Sequence, residues 1–492
     1  MKKQASKAAQ ATKPASKLGF FALIAIVVGS MLGGGVYSLP QNTSLHSAVG
    51  PIIIAWLIAG FGVYFIANSF RILSDIRPDL KSGVYMYARE GFGPFIGFVV
   101  AWGYWLMTAF GNVAFAVILM DAMNYIFPGK FTGGNNLNSI IFGSILIWLY
   151  YFLVLRGIKT ASFINMVGTM SNLIPLTLFI IIMLFFFKFS HFTENFWGHS
   201  APAPSEDLGS IPKQIMSPML VALWCFIGVE GAVVLSGRAK NPADVGKATL
   251  IGFLVVLTIY ILLSILPFGF MAQHEIAEVP NPSTAGVLGK AVGNWGQWLM
   301  NIGLMISVLV GWLSWTLLCA EVPMAAAQNG TFPSLFAKQN KNQTPSFSLL
   351  VSSIIMQAAM LLVYFSNNAW QTMLSISSLI MLPAYLGTTL FLFKLCTQKE
   401  YEKYAKKGKT LAYLSGLIGF LFGLFMFYAG GIQYVVMVPV LLALGIPVFI
   451  WSRWEKRDGA PIFQKVEVLY LLILLLLAIA GIISVWGGWV KL

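Results

Sequence analysis

The sequence places glycine where an apolar helix should be strongest. Gly29, Gly33, Gly34 and Gly35 fall within seven residues of one apolar run, in GSMLGGGVYSLP from Gly29 to Pro40. Each glycine costs a helix about 1 kcal/mol against alanine, so the run is easily unwound there. Unwinding frees backbone N–H groups beside the N-terminus of the half-helix that follows, and such a terminus holds a carboxylate. Close packing of helices through small residues is the competing explanation. A second run, LWCFIGVEGAVVLSG from Leu223 to Gly237, sets Glu230 between Gly228 and Gly231. A carboxylate inside a membrane is costly and therefore marks a functional position. The alternative is a protonated glutamate bonded to a neighbouring helix.

Two further residues have chemistry to offer. Asn112, in AFGNVAFA, is an amide in need of a partner, and Trp315, in GWLSWTLLCAE, presents an indole face that attracts cations. An interhelical hydrogen bond and ordinary core packing are their plainer roles. The sequence has no glycine-rich phosphate loop followed by lysine, no HExxH pair and no nucleophile-elbow serine. His46, His191, His199 and His274 all fall outside the apolar runs, which argues against haem or metal redox chemistry. Cys225, Cys319 and Cys396 have no metal or redox spacing. No metal site and no cofactor are expected, and a binding site here has to be built from backbone, small polar groups and aromatic rings.

The elements that position these residues follow from composition. Of the 492 residues 58% are hydrophobic and 10% charged, against about 25% charged in a soluble domain. Thirteen apolar segments can be marked, at 18–40, 48–70, 92–118, 138–155, 162–187, 213–236, 248–271, 296–319, 346–365, 371–395, 411–428, 432–451 and 467–489. Many reach the ~20 residues of a spanning helix and none alternates as a barrel strand would. The first is expected to be retained, since it runs past a signal-peptide core with no cleavage site after it. With the N-terminus in the cytoplasm, 26 of the 31 lysines and arginines lie on inner segments and five on outer ones. That is the positive-inside bias. It predicts an N-in, C-out chain in the cell inner membrane, and it assigns the +14 net charge to orientation and lipid contact rather than to nucleic acid.

The two glycine interruptions fall in the first and sixth segments, which lead two successive five-segment blocks. An odd number of spans inverts the second block against the first. Paired broken helices at matching places of inverted halves are the best sequence pointer to a secondary-transporter site. Asn112 and Trp315 also match, since they lie in the third and eighth segments. The reading is an all-α polytopic membrane protein with a tail (1–17), a first repeat (18–187), an external loop (188–212), a second repeat (213–395), a basic cytoplasmic loop (396–410) and three C-terminal helices (411–492).

Across nearly its whole length the chain resembles the amino acid–polyamine–organocation superfamily, and most closely the bacterial arginine–ornithine antiporters. The resemblance rests on VVGSMLGGGVYSLPQN, GVYMYAREGFG, AWGYWL followed by GNV, FLVLRGIK, FIGVEGAVVLSGRAK with DVGKAT, and LSWTLLCAE, in that order. It implies a LeuT-like core of two inverted five-helix repeats with extra C-terminal helices, and a transporter rather than an enzyme. It further implies that Ser30, Gly33, Gly34 and Gly35 hold the substrate carboxylate, and that carbonyls near Trp224, Ile227 and Gly228 take the α-ammonium. Trp224 then covers the site as a gate, Asn112 and Trp315 meet the substrate side chain, and Glu230 couples gating or tunes charge. The implied activity is obligatory exchange of external arginine for internal ornithine by alternating access. The implied partners are arginine, ornithine and membrane lipid, with a homodimer left open. A proton-coupled symporter of lysine or another cationic amino acid is the alternative within transporters, and a polytopic membrane enzyme the alternative outside them.

Overall fold

The computed structural model describes residues 19–80, 84–157, 161–199, 207–230, 243–456 and 461–489. The tail 1–17 and the second half of the sixth segment, from Gly231, lie outside the described residues. Among those described, the regular elements are helices, with one isolated bridge between Gln339 and Pro345. Apolar runs of this length satisfy their backbone groups in lipid by folding as helices.

The first segment is a bent pair, α1 (Phe20–Met31) and α2 (Leu39–Ser44), joined by a tight helical turn over Gly34–Ser38. α3 (Val49–Ile76), the short α4 (Val84–Phe92) and the long α5 (Pro94–Ile126) follow, then α6 (Leu137–Leu155) and α7 (Ala161–Phe186). A second series runs α8 (Met219–Phe226), α9 (Ala243–Ile265), the short α10 (Ser283–Val292), the long α11 (Asn294–Gln328), α12 (Ser346–Val363) and α13 (Ala369–Thr397). Three more spans complete the chain, α14 (Lys409–Ala429), α15 (Ile432–Trp454) and α16 (Lys465–Trp486). Among the described residues, ten helices are long and apolar enough to cross a bilayer, and the bent pair makes eleven. The shorter apolar stretches Met170–Phe186 and Ile211–Phe226 occupy the fifth and sixth segments.

The order of elements repeats. Each series has a first span whose helix stops early, at Met31 in α1 and at Phe226 in α8, then a long second span, a short helix, a very long third span and two further spans. In both, the short helix meets the long one at a left-handed glycine, Gly93 (φ 92°) before α5 and Gly293 (φ 83°) before α11. Hydropathy alone treats the stretches holding α4 and α10 as loops. They are helices too short to span, and each packs against the long helix that follows it. α5 and α11 also outrun the apolar segments 92–118 and 296–319. Polar residues end the apolar run without ending the helix when they find partners, as Asp121 does by accepting the Gly133 N–H at 3.1 Å. α5 lies at the centre, packed on α11 and α13, and 83% of its span is buried; α16, at 17%, faces outward.

Candidate functional site

The two interruptions meet. α1 ends at Met31, and Leu32 and Gly33 are non-helical (ψ 84° and −173°) before the helix resumes at Gly34, turned by 51°. α8 ends at Phe226, Ile227 is extended (ψ 129°), and Gly228 is left-handed at φ 106°. A side chain at Gly228 would be strained there, and its Cβ would lie 2.5 Å from the Ser30 carbonyl oxygen. The glycine thus lets the two broken backbones touch. The Ser30 hydroxyl lies 2.9 Å from the Gly228 carbonyl and 2.9 Å from the Val27 carbonyl of its own helix.

Breaking a helix orphans carbonyls that would otherwise be paired. Neighbouring helices supply donors for them. Asn172 on α7 donates its amide to the Leu32 carbonyl at 2.7 Å, and Ser307 on α11 donates to the Asn172 Oδ1 at 2.6 Å. The Tyr260 hydroxyl on α9 sits 2.7 Å from the Met31 carbonyl and 2.8 Å from the Cys225 carbonyl, so one proton serves both breaks. On the other side of the turn, Gly34 and Gly35 open the half-helix Gly34–Ser44. The first N–H groups of a helix have no acceptor within it and favour negative charge.

A cavity of about 30 Å³ lies between the breaks, lined by Ser30, Gly33, Gly35, Trp224, Ile227 and Trp315 with Gly111 and Phe115. That is room for about one water, far less than an amino acid needs. Trp224 takes up the space. Its Nε1 is 2.6 Å, and its Cη2 3.3 Å, from where a Cβ on Gly35 and on Gly111 respectively would stand. Its ring packs edge-on against Phe115 (6.4 Å) and Trp370 (6.3 Å). Admission of a ligand with a dozen heavy atoms therefore requires the indole to move.

The remaining predicted residues sit around this centre. A Cβ on Gly34 would face Val308 and Leu304 of α11 and Ile118 of α5 rather than the cavity. Gly228 contributes its carbonyl. Asn112 is fully buried beside Gly111, and among the described residues neither its Oδ1 nor its Nδ2 has a hydrogen-bond partner. An unpaired buried amide costs about 1–3 kcal/mol, which a ligand can recover. Glu230 is buried behind the α8 break. Its Oε1 accepts from Tyr104 on α5 at 3.4 Å, and its Oε2 accepts from Tyr385 on α13 at 3.4 Å and from the Gly228 N–H at 3.2 Å. The tyrosine pair, Tyr260 and Trp370 escape a sequence reading, because one aromatic among many carries no signal. Asn172 had one, being an amide inside an apolar run.

The family model described as "Amino acid permease" matches residues 18–451. An arginine/agmatine antiporter of Chlamydia pneumoniae is 54% identical over 481 residues, covering 98% of this chain and 99% of that one. Proteins of the same name from Chlamydia trachomatis serovar L2 (53% identical, 95% and 96% covered) and Chlamydia caviae (52%, 96% and 97%) are similar over the same extent. A match of that length, on a fold whose two interrupted spans enclose a cavity, places the chain in the amino acid permease family, as an all-α multi-pass membrane transporter and not an enzyme.

Proposed function

We propose that the chain is a cationic amino-acid antiporter of the cell inner membrane, N-terminus cytoplasmic, that exchanges arginine by alternating access. The observation that carries this is the junction of the two broken spans around a cavity capped by Trp224, with the buried, unpaired amide of Asn112 next in the chain to the lining residue Gly111. In this reading the N–H groups at Gly33–Gly35, with Ser30, take the carboxylate. The carbonyls of Ile227 and Gly228 take the α-ammonium, and Trp224 closes over both. Trp315 offers its ring face to the guanidinium, worth about 0.5–2 kcal/mol, and Asn112 supplies a directed hydrogen bond. Glu230, tied to one helix from each repeat through its two tyrosines, couples the α8 break to α5 and α13.

The counter-substrate is the finer question. The names of the relatives support agmatine, and the sequence resemblance supports ornithine. Charge separates them. Arginine and ornithine each carry one net positive charge near neutral pH, so their exchange is electroneutral. Agmatine lacks the carboxylate and carries two, so arginine entry against agmatine exit moves one positive charge outward per cycle. A membrane potential acts on one charge with about 2.3 kcal/mol per 100 mV. Proteoliposomes loaded with agmatine or ornithine, clamped with potassium and valinomycin, should take up labelled arginine. Uptake against agmatine should speed up when the interior is positive, and uptake against ornithine should ignore the potential. Equal uptake into vesicles with no internal amine would overturn exchange and favour a symporter.

A further inference from the structure

A second cavity, of about 290 Å³, opens at the face that carries the basic loops. It lies where the start of α5, the turn after α11 and the end of α15 converge, and three cations border it: Arg89, Arg453 and Lys456. Arg89 is held by donating to the Asn329 carbonyl at 2.8 Å and to the Thr331 hydroxyl at 3.0 Å. Arg453 pairs with Glu467 at 2.7 Å and lies over the Phe449 ring, yet its Nε is buried with no partner among the described residues. Lys456 stands directly above Gly330, where any side chain would meet its ammonium.

Among the described residues, the charges bordering the cavity do not balance. Among the described residues Glu467 pairs with Arg453, but neither Arg89 nor Lys456 has a carboxylate within ion-pairing distance. Glu455 is nearby, with its Oε2 accepting the Ser334 N–H at 2.8 Å. Burial, with Arg89 and Arg453 close by, holds the Lys456 ammonium below its ordinary value, while Glu455 opposes the shift. α5 adds the positive end of a 33-residue helix, starting at Pro94 on the cavity wall.

We propose that this cavity binds a phosphate group through Arg89, Arg453 and Lys456. Donors from two elements, Arg89 on α4 and Arg453 and Lys456 at the end of α15, surround a tetrahedral oxyanion better than a planar carboxylate, and ionised donors make the strong hydrogen bonds. The room equals that of about ten waters, enough for a phosphate but not for an extended polyanion such as nucleic acid. The phosphate comes from an anionic lipid headgroup or from free phosphate. Basic pockets between spanning helices on the cytoplasmic side suit such headgroups, and here Trp454 (62% exposed) and Val466 (58%), the chain neighbours of Arg453 and Glu467, present lipid-compatible surface.

The test uses the purified full chain, with Lys456→Gln and Lys456→Glu as variants, Lys456→Arg as rescue and Lys406→Gln, an exposed lysine of a neighbouring basic loop, as control. Retention of phosphatidylglycerol against phosphatidylcholine is measured by native mass spectrometry, and inorganic phosphate binding by thermal shift. We expect Lys456→Gln to weaken binding about tenfold, Lys456→Glu to abolish it, and Lys456→Arg and Lys406→Gln to match the parent. Loss confined to the lipid arm assigns the headgroup, and loss in the phosphate arm assigns the free ion. Equal lipid retention and equal phosphate binding in the parent and in monodisperse Lys456→Gln and Lys456→Glu would overturn the proposal.

Discussion

Replacing Gly35 with alanine tests the resting place of Trp224. Gly35 is not one of the left-handed glycines, so alanine adds volume without backbone strain. The new Cβ would stand 2.6 Å from the indole Nε1 and 3.0 Å from its Cδ1, with Trp370 at 3.6 Å. Carbon contacts settle near 3.5 Å, so the indole must shift by about 1 Å. Overfilling a packed site costs about 1–3 kcal/mol. Trp224 is only half-buried and can give way, which puts the cost near the lower end, about 1 kcal/mol or about fivefold in rate. If exchange passes through the closed arrangement, Gly35→Ala should slow initial exchange of labelled arginine in proteoliposomes by that factor. In a Trp224→Leu background the clash is gone and the same substitution should cost little, giving a coupling of about 1 kcal/mol in a double-mutant cycle. The same fivefold loss in both backgrounds would refute the clash and return Gly35 to a direct role in holding ligand.

Three other substitutions probe separate parts of the site. Asn112→Leu should leave thermal stability unchanged or slightly raised, since it removes an unpaired buried amide, while weakening arginine binding by about 1–2 kcal/mol; a large fall in melting temperature in ligand-free protein would show that Asn112 is structural. Tyr260→Phe removes one hydroxyl from two break carbonyls and should destabilise the protein by about 1–3 kcal/mol in a denaturation series, with an unchanged midpoint counting against its bridging role. Trp315→Leu should weaken arginine by about 0.5–2 kcal/mol in equilibrium binding, and unaltered affinity would return it to packing.

What the sequence revealed depended on how local each cause was. Helices were legible because the need to pair backbone groups in lipid acts on every residue of an apolar run. The break at Leu32–Gly33 was legible because the glycines around it weaken a helix wherever they sit. Ser30, Gly33, Gly35, Trp224, Ile227 and Trp315 do line one cavity; the matched interruptions pointed to a site between the two spans, while the grouping of these residues came from the family resemblance. Tyr260 and Ser307 were not legible, because each acts on a carbonyl far away in the chain and only folding brings it there. α4 and α10 were hidden for a different reason. A helix lying on the others shows no long apolar run, and Arg89 and Glu90 made its stretch look like loop. The charged cavity at the basic face was hidden in the same way, since Arg89, Gly330 and Lys456 are each more than a hundred residues from the next.

The hydroxyl of Ser30 has two acceptors within reach and one proton to give. If the ammonium binds the Gly228 carbonyl as proposed, the serine can surrender that oxygen and keep the Val27 carbonyl without losing a bond. On this reading the Ser30 hydroxyl stands at the oxygen that the substrate ammonium would take. Swapping one for the other is nearly isoenergetic for the serine, so the ligand's contact with Gly228 is not offset by a stranded hydroxyl.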